Sequence, residues 1–178
     1  SAWIWLAFAA SISGGLHLDG LADWFDALGG GRGDRARMLE IMRDPRLGAH
    51  GACALVLLLA AKQSALAGLP REALPLALLG APALARALAT GLLACYPSAR
   101  SEGLGATFAS HVHARHALGA GLTAGVVCAP FGVAALVPCL LCSVAALLVG
   151  AWAQRRLGGI NGDVCGAAIE IAELAFWI

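Results

Sequence analysis

Charged side chains are scarce in this sequence. Asp, Glu, Lys and Arg make up 13% of its 178 residues, whereas soluble globular domains carry about 25%. Hydrophobic residues reach 60%, and the mean hydropathy is +0.78. The low charge excludes an ordinary soluble domain, and a net charge of +1 gives no basis for nucleic acid as a partner. The long apolar runs predict an integral membrane protein that contacts the lipid bilayer.

Several other features are also missing. The chain has no initial Met and no signal peptide and opens at Ser1 inside an apolar run, so we expect an N-terminal part of the full-length protein to precede it. The glycine-rich run 29–33 lacks the Lys-Ser/Thr ending of a P-loop. Cys139 and Cys142 form a CxxC pair with no second pair or His nearby. We therefore expect most of the cysteines to be small buried residues of membrane helices.

The apolar runs predict an all-α, polytopic transmembrane helix bundle that forms a single domain over residues 1–178. About five to six membrane helices are expected, because each span needs about 20 apolar residues. Pro130 and Pro138 interrupt the longest run and predict a helical hairpin there. The expected helices are 1–16 continued by 17–28, 51–69, 73–94, 117–129, 131–153 and 162–178.

The distribution of basic residues predicts the topology. If the loops alternate sides, segments 17–50, 95–116 and 154–162 share one side of the membrane. Of the 12 basic residues, nine are on that side, namely Arg32, Arg35, Arg37, Arg43, Arg46, Arg100, Arg115, Arg155 and Arg156. The opposite side keeps only Arg71. The positive-inside rule then places this side of the multi-pass protein in the cytoplasm.

Three aspartates follow the first apolar run. On a helix, Asp19, Asp23 and Asp26 fall within about 60° of one another. Like charges at this spacing repel, and a hard divalent cation such as Mg²⁺ would relieve the repulsion and take substrate phosphates as further ligands. The alternative is a solvated helix end without a metal. His17 points away from this face and is a weaker candidate ligand.

A second polar segment, residues 39–48, alternates charges. Either it is an ordinary cytoplasmic loop with internal ion pairs, or Asp44 joins the metal while Arg43 or Arg46 holds phosphate oxygens. The HxHxxH pattern of His111, His113 and His116 lacks further zinc ligands, so we favour a polar loop there.

Charges also occur within the predicted spans. Lys62 and Arg86 each cost about 2.5–3.5 kcal/mol on insertion scales, so each needs a partner or a polar cavity. In the last helix Asp163, Glu170 and Glu173 should face a polar interior, where they add to the metal site or accept a substrate proton.

Several motifs together resemble one enzyme family. They are Gly15–Asp23 (GLHLDGLAD), Leu39–Asp44 (LEIMRD) with Gly48, Arg100–Gly105 (RSEGLG), and Leu157–Ala167 (LGGINGDVCGA) with Glu170 and Glu173. These strings are similar to the cobalamin synthases, also called adenosylcobinamide-GDP ribazoletransferases. The resemblance covers nearly the whole chain. Asn161 departs from the family pattern, in which we expect Thr.

The resemblance implies a multi-pass, Mg²⁺-dependent inner-membrane enzyme of vitamin B12 biosynthesis. It would transfer the adenosylcobinamide phosphate group from adenosylcobinamide-GDP to α-ribazole, or to α-ribazole 5′-phosphate, and release GMP. The implied metal ligands are Asp19, Asp23, Asp26 and Asp44. The implied catalytic residues are Asp26 or Asp163 as proton acceptor, with Arg43 and Arg46 on the leaving group. The implied substrate-binding residues are His17, Lys62, Arg86, Arg100, Glu102, Glu170 and Glu173.

Two other functions remain open on the residues alone. A CDP-alcohol phosphotransferase also clusters aspartates at a membrane helix end, but its Ala-Arg pair after Asp-Gly is missing after Asp19-Gly20. An ion-coupled transporter would use Lys62, Arg86 and the acids as an ion path, but no matching halves are found in the sequence. Association into a homo-oligomer is also left open.

Overall fold

The computed structural model describes residues 1–100, 107 and 110–178. Regular structure in this part is helical, and its one extended pairing is an isolated bridge between Ser98 and Ile160. The α-helices are α1 (Ala2–Ile12), α2 (Leu16–Gly30), α3 (Arg35–Ile41), α4 (Ala49–Gly68), α5 (Ala81–Cys95), α6 (Ala114–Cys128), α7 (Leu136–Leu157) and α8 (Gly162–Trp177). Short 3-10 segments cover Arg71–Ala73 and Ala129–Ala135, and a π-helical turn covers Leu76–Gly80. The predicted all-α class is confirmed.

Three helical segments in the described residues are long and apolar enough to cross a bilayer: Ala49–Gly68, Arg71–Cys95 and Ala114–Leu157. A fourth is counted if α1 and α2, bent by 90° at their junction, form one broken span. About five to six were expected from the apolar runs. The segment Ala114–Leu157 has 44 residues, more than one span needs. Helix α8 has only 16 residues, fewer than the about 20 of a span.

The segment Ala114–Leu157 nevertheless folds back as the predicted hairpin. Gly132 has φ 53° and ψ −132°, a backbone conformation that favours glycine, and it lies in the 3-10 segment between the two helices. The thiols of Cys128 and Cys139 are neighbours across this turn. Further along, Gly121 of α6 and Leu147 of α7 line one groove over α5. The hairpin arms are therefore α6 and α7.

The two ends of the bundle differ in character. At one end, Arg35 donates from Nε to the carbonyl of Leu157 at 2.6 Å and from a terminal nitrogen to the carbonyl of Ala99 at 3.2 Å. The bridge between Ser98 and Ile160 lies at the same end. These contacts join the three polar segments that were predicted to share one side of the membrane. We call this the charged end; its described residues are 17–50, 95–100, 110–116 and 154–163.

Glycines allow α2 and α8 to cross closely at the charged end. A Cβ on Gly20 would lie 2.9 Å from the Cα of Asp163, and a Cβ on Gly166 would lie 2.9 Å from the carbonyl oxygen of His17. Small residues permit this approach between membrane helices. Farther along α8, Ala167 and Ala172 are fully buried. The crossing sets the first turns of α2 beside the first turn of α8.

Candidate active site

Three carboxylates meet where α2 crosses α8. Asp23 lies within electrostatic range of both Asp19 and Asp163, and Asp163 lies within range of Asp19. Asp19 is exposed, while Asp23 and Asp163 are half-buried. We call these three residues the acid cluster. The sequence predicted that Asp19 and Asp23 act together and offered Asp163 as an addition to their site or as a proton acceptor. The structure places Asp163 within electrostatic range of both.

Asp163 is the best-supported member of the acid cluster. It accepts from a terminal nitrogen of Arg100 at 2.9 Å and from Nδ2 of Asn161 at 3.1 Å. The same Asn161 caps α8, since its Oδ1 accepts from the backbone N–H of Val164 at 2.9 Å. Burial raises the pKa of Asp163 above its ordinary value and Asp19 raises it further, although Arg100 opposes the rise. The carboxylate is therefore a stronger base than a free aspartate.

The other two predicted metal ligands are used differently. Asp26 is buried and accepts from the backbone N–H groups of Gly48 at 2.7 Å and Gly51 at 2.8 Å. These N–H groups open α4 and lack helical partners, so Asp26 caps that helix from α2. Asp44 accepts from Nε of Arg46 at 2.8 Å, and the hydrogen bonds from Arg46 lower the pKa of Asp44 to about 2.

The four predicted aspartate ligands therefore have different partners, and the metal site itself stays a prediction. Asp26 and Asp44 line a cavity of about 320 Å³ at the start of α4, while Asp26 also lies within electrostatic range of Asp23. Among the residues that the structure describes, no group of three or more His, Cys, Asp or Glu side chains is arranged to hold a metal ion. Asp26 has different partners because its side chain reaches the start of α4, whereas Asp19 and Asp23 lie within electrostatic range of Asp163 on α8.

The arginines predicted to act on the leaving group lie on the surface of the charged end. Arg46 pairs with Asp44 and its side chain is 84% exposed, and Arg43 is also exposed. Arg100 is more enclosed, with a side chain that is 16% exposed. Its Nε has no hydrogen-bond partner in the described part of the chain. Glu102, predicted to bind substrate, lies outside the described residues.

The charges within the predicted spans form a separate network. Lys62 donates to Glu170 at 2.6 Å and to Glu173 at 2.8 Å, and Arg86 donates to Glu173 at 2.7 Å. Lys62 is 2% exposed and also lies over the ring of Trp177, 5.1 Å from its centroid. We call Lys62, Arg86, Glu170 and Glu173 the buried ion network. It joins α4, α5 and α8, and it confirms that the intramembrane cations have partners.

This pairing limits the predicted substrate-binding roles. The ammonium of Lys62 already serves two carboxylates inside the protein, whereas the guanidinium side chain of Arg86 is 40% exposed. His17 is half-buried beside the network and lines two cavities with Arg86. Among Lys62, Arg86, Glu170, Glu173 and the neighbouring His17, the two residues that line a cavity of about 260 Å³ are His17 and Arg86.

That cavity was not predicted from the sequence. It has a volume of about 260 Å³ and lies between α2, α5 and α8. We call it the slot; its lining residues are Leu16, His17, Arg86, Ala89, Thr90, Leu93, Gly162, Cys165, Gly166 and Ile169. Most of them are apolar and uncharged, so they gave no chemical signal. The spacing of Gly162 and Gly166 on one face of α8 was the available hint.

Two histidines of the HxHxxH pattern, His113 and His116, lie at the N-terminus of α6. The backbone N–H of His113 donates to Nδ1 of His116 at 3.0 Å, and His113 in turn caps the helix. Nδ1 of His111 forms a hydrogen bond of 3.0 Å with the hydroxyl of the neighbouring Ser110. These contacts agree with the polar loop favoured from the sequence.

The fold and the site together define an α-helical membrane protein of the multi-pass type whose carboxylates and arginines gather at one end of the bundle. A family model described as cobalamin-5-phosphate synthase matches residues 1–178. The chain belongs to this family, and it is an enzyme of the cobalamin synthase type. Membership decides against both the CDP-alcohol phosphotransferase and the transporter alternatives.

Curated relatives agree with the family assignment. An adenosylcobinamide-GDP ribazoletransferase of Pseudomonas savastanoi pv. phaseolicola is 44% identical over 98% of this chain and 70% of its own length. Proteins of the same name from Stutzerimonas stutzeri and Pseudomonas paraeruginosa are 42% and 43% identical, each over 96% of this chain and 69% of their own length. No solved structure matches the chain.

Proposed function

We propose that this chain transfers the adenosylcobinamide phosphate group from adenosylcobinamide-GDP to α-ribazole or its 5′-phosphate. The products are adenosylcobalamin, or its 5′-phosphate, and GMP. The names of the relatives support the two substrates. The observation that carries the proposal is the crossing of α2 and α8, where the acid cluster and Arg100 meet at the charged end. A diphosphate transfer needs this combination of carboxylates and a cation.

In the proposed reaction, the 3′-hydroxyl of ribazole attacks the phosphorus nearer to cobinamide. A new P–O bond forms, the bond to the GMP oxygen breaks, and the hydroxyl proton passes to a carboxylate. We assign that role to Asp163 and not to Asp26, because Asp26 already accepts two backbone N–H groups. Burial raises the pKa of Asp163, which suits a proton acceptor.

We assign magnesium to Asp19 and Asp23. These two carboxylates lie close together and form no ion pair with any described residue, so their charges are not balanced within this part of the protein. Mg²⁺ is usually held by one or two carboxylates together with substrate phosphates, so two ligands are a sufficient protein contribution. When bound, it would supply charge neutralisation at the diphosphate.

The arginines have complementary roles in this proposal. Arg100 has low exposure, and its Nε has no hydrogen-bond partner among the described residues, so its guanidinium can donate to a phosphate oxygen without leaving Asp163. Arg43 and Arg46 are exposed at the rim and would balance the charge of the departing GMP. Arg46 would have to exchange its partner Asp44 for the phosphate.

We also place the charged end in the cytoplasm and the protein in the cell inner membrane. Nine of the 12 basic residues belong to the segments that meet at this end, and Arg71 alone lies in the connection at the opposite end. The positive-inside rule supports this orientation. It gives the site direct access to nucleotide substrates.

Release of GMP tests the proposed function. Membranes that contain the protein should release GMP only when adenosylcobinamide-GDP and α-ribazole are both supplied with Mg²⁺. Asp23→Asn should lower kcat/KM by at least about 100-fold, since it removes a charge that acts on the diphosphate. The matched control is Asp34→Asn, an exposed aspartate of the charged end that caps α3, because Asn caps helices equally well. GMP release without α-ribazole, or equal activity of both variants, would contradict the proposal.

A further inference from the structure

The slot is formed in part by α2 and α8, the two helices that carry the acid cluster. On α8, Gly162 and Gly166 line the slot on either side of Asp163 in sequence. On α2, Leu16 and His17 line it and directly precede Asp19. The slot and the acid cluster therefore lie at the same ends of the same two helices. This neighbourhood makes the slot a candidate part of the substrate-binding region.

The wall of the slot is mostly apolar. It is formed by Leu16, Ala89, Leu93, Cys165, Gly166 and Ile169. Its polar groups are few: the ring of His17, the partly exposed guanidinium of Arg86, and Thr90, whose hydroxyl already donates to the carbonyl of Arg86 at 2.9 Å. The slot thus offers apolar contact over most of its surface and one available cationic donor.

The proposed substrates contain a corrin macrocycle, purine bases and a benzimidazole base. The size of the slot excludes the corrin macrocycle. Pockets for drug-sized ligands usually span about 300–1,000 Å³, so a cavity of about 260 Å³ accepts a bicyclic ring but not a corrin macrocycle. The polarity of the purine bases excludes them from an apolar slot. Guanine and adenine present several hydrogen-bonding atoms, and burying them against an apolar wall leaves donors and acceptors unpaired, which is unfavourable.

We propose that the slot binds the methylated benzimidazole base of α-ribazole. The inference rests on the proposed function, which it deepens by assigning one substrate to one cavity. The base is flat, bicyclic and apolar except for one free ring nitrogen, and Arg86 can donate to that nitrogen. With the base in the slot, the ribose extends toward Asp163, where its hydroxyl has to lose a proton. Leu93 and Ile169 then contact the ring and select its size.

Filling the slot tests the assignment. Leu93→Trp should raise the KM for α-ribazole by about tenfold or more, since a misfit of a few carbon atoms has this effect in an apolar pocket, while the KM for adenosylcobinamide-GDP stays within about twofold. In the Leu93→Trp protein, a riboside with an unmethylated benzimidazole should lose less affinity than α-ribazole does, because its base is smaller. Thr90→Leu is a milder second variant, for use if Leu93→Trp does not accumulate in the membrane.

Leu88→Trp is the matched control. Leu88 and Leu93 are both half-buried leucines of α5, but Leu88 lines the groove between α6 and α7 on another face of the helix. This control should leave both KM values unchanged. A rise in the KM for adenosylcobinamide-GDP with Leu93→Trp, or no change in either KM, would overturn the assignment.

A binding measurement separates this inference from the proposed function. Equilibrium dialysis of α-ribazole against purified protein, with empty detergent micelles as the blank, does not depend on turnover. Binding that is weakened by Leu93→Trp and kept by Leu88→Trp supports the slot even if no GMP is released. Release of GMP by the wild type, with α-ribazole binding that is equal in both variants, retains the proposed function and rejects the slot.

Discussion

The acid cluster and the buried ion network use the same kinds of side chain but balance their charges differently. In the network, two cations face two carboxylates at 2.6–2.8 Å, inside the bundle. In the acid cluster, three carboxylates share one cation, Arg100, and within the described part of the chain Asp19 and Asp23 form no ion pair of their own. The charges of the buried ion network balance one another within the protein. The acid cluster, in contrast, leaves uncompensated negative charge at the surface of the charged end.

This difference separates an architectural role from a chemical one. A buried ion that has lost its partner is costly, so the network fixes how α4, α5 and α8 pack. An accessible and unbalanced set of carboxylates is costly to assemble without a cation, and its position at an open rim allows an external cation or substrate to supply the missing charge. Substitutions in the network should therefore affect stability first, and substitutions in the cluster should affect activity first.

The largest effect on stability is expected at Lys62. Lys62→Met leaves Glu170 without its cation and should lower the free energy of unfolding by about 3–5 kcal/mol. Denaturant unfolding of the detergent-solubilised protein measures this change. Adding Glu170→Gln to Lys62→Met should recover part of the loss, because it removes the unbalanced carboxylate. Gln63→Met, at the next position of α4, is the control and should change stability by less than about 0.5 kcal/mol. A fully stable Lys62→Met protein would show that the network has no architectural role.

A smaller effect is expected where the helices cross. Gly20→Ala places a Cβ 2.9 Å from the Cα of Asp163, so α2 and α8 must separate, at a cost of about 1–3 kcal/mol. GMP release should fall as well, since the acid cluster spans both helices. Gly91→Ala is the control because its Cβ meets nothing within 4 Å, and Ala is the better helix former by about 1 kcal/mol. Equal melting temperatures and rates for the two variants would mean that the close crossing is not required.

The smallest of these effects is a shift in the pH dependence of kcat/KM. Activity should need ionised Asp163, so it should fall as the pH drops through the pKa of this residue. Arg100→Gln removes the cation that opposes the raised pKa, so the pKa rises further and the acidic limb of kcat/KM should move to higher pH by about one unit. Arg37→Gln, an exposed arginine of the same end, should leave the limb in place. A limb that stays fixed or moves to lower pH in Arg100→Gln would argue against Asp163 as the proton acceptor.

Much of the fold could be predicted from the sequence because its signals are local. Pro130 and Pro138 marked the hairpin between α6 and α7, and the clustering of arginines grouped the loops that meet at the charged end. The last helix was harder to interpret, since the short α8 resembles a membrane helix in composition while carrying three acids within 16 residues.

The side-chain partners could not be predicted, because they depend on tertiary contacts. Lys62 meets Glu170 across 108 positions of the chain, a separation that no periodicity reveals. Helical spacing put Asp26 with Asp19 and Asp23, but the side chain reaches the start of α4, 22 and 25 positions away. The slot was also missed, since it is built mainly from alanine, glycine and leucine, residues that have no chemical signature.

The response to magnesium tests the central claim most directly. GMP release should be titrated with Mg²⁺ for the wild type, Asp19→Asn and the control Asp34→Asn. If Asp19 and Asp23 hold the ion against the diphosphate, the Mg²⁺ concentration for half-maximal release should rise by about tenfold or more in Asp19→Asn and stay unchanged in Asp34→Asn. An Asp19→Asn enzyme with the wild-type Mg²⁺ requirement would contradict the account.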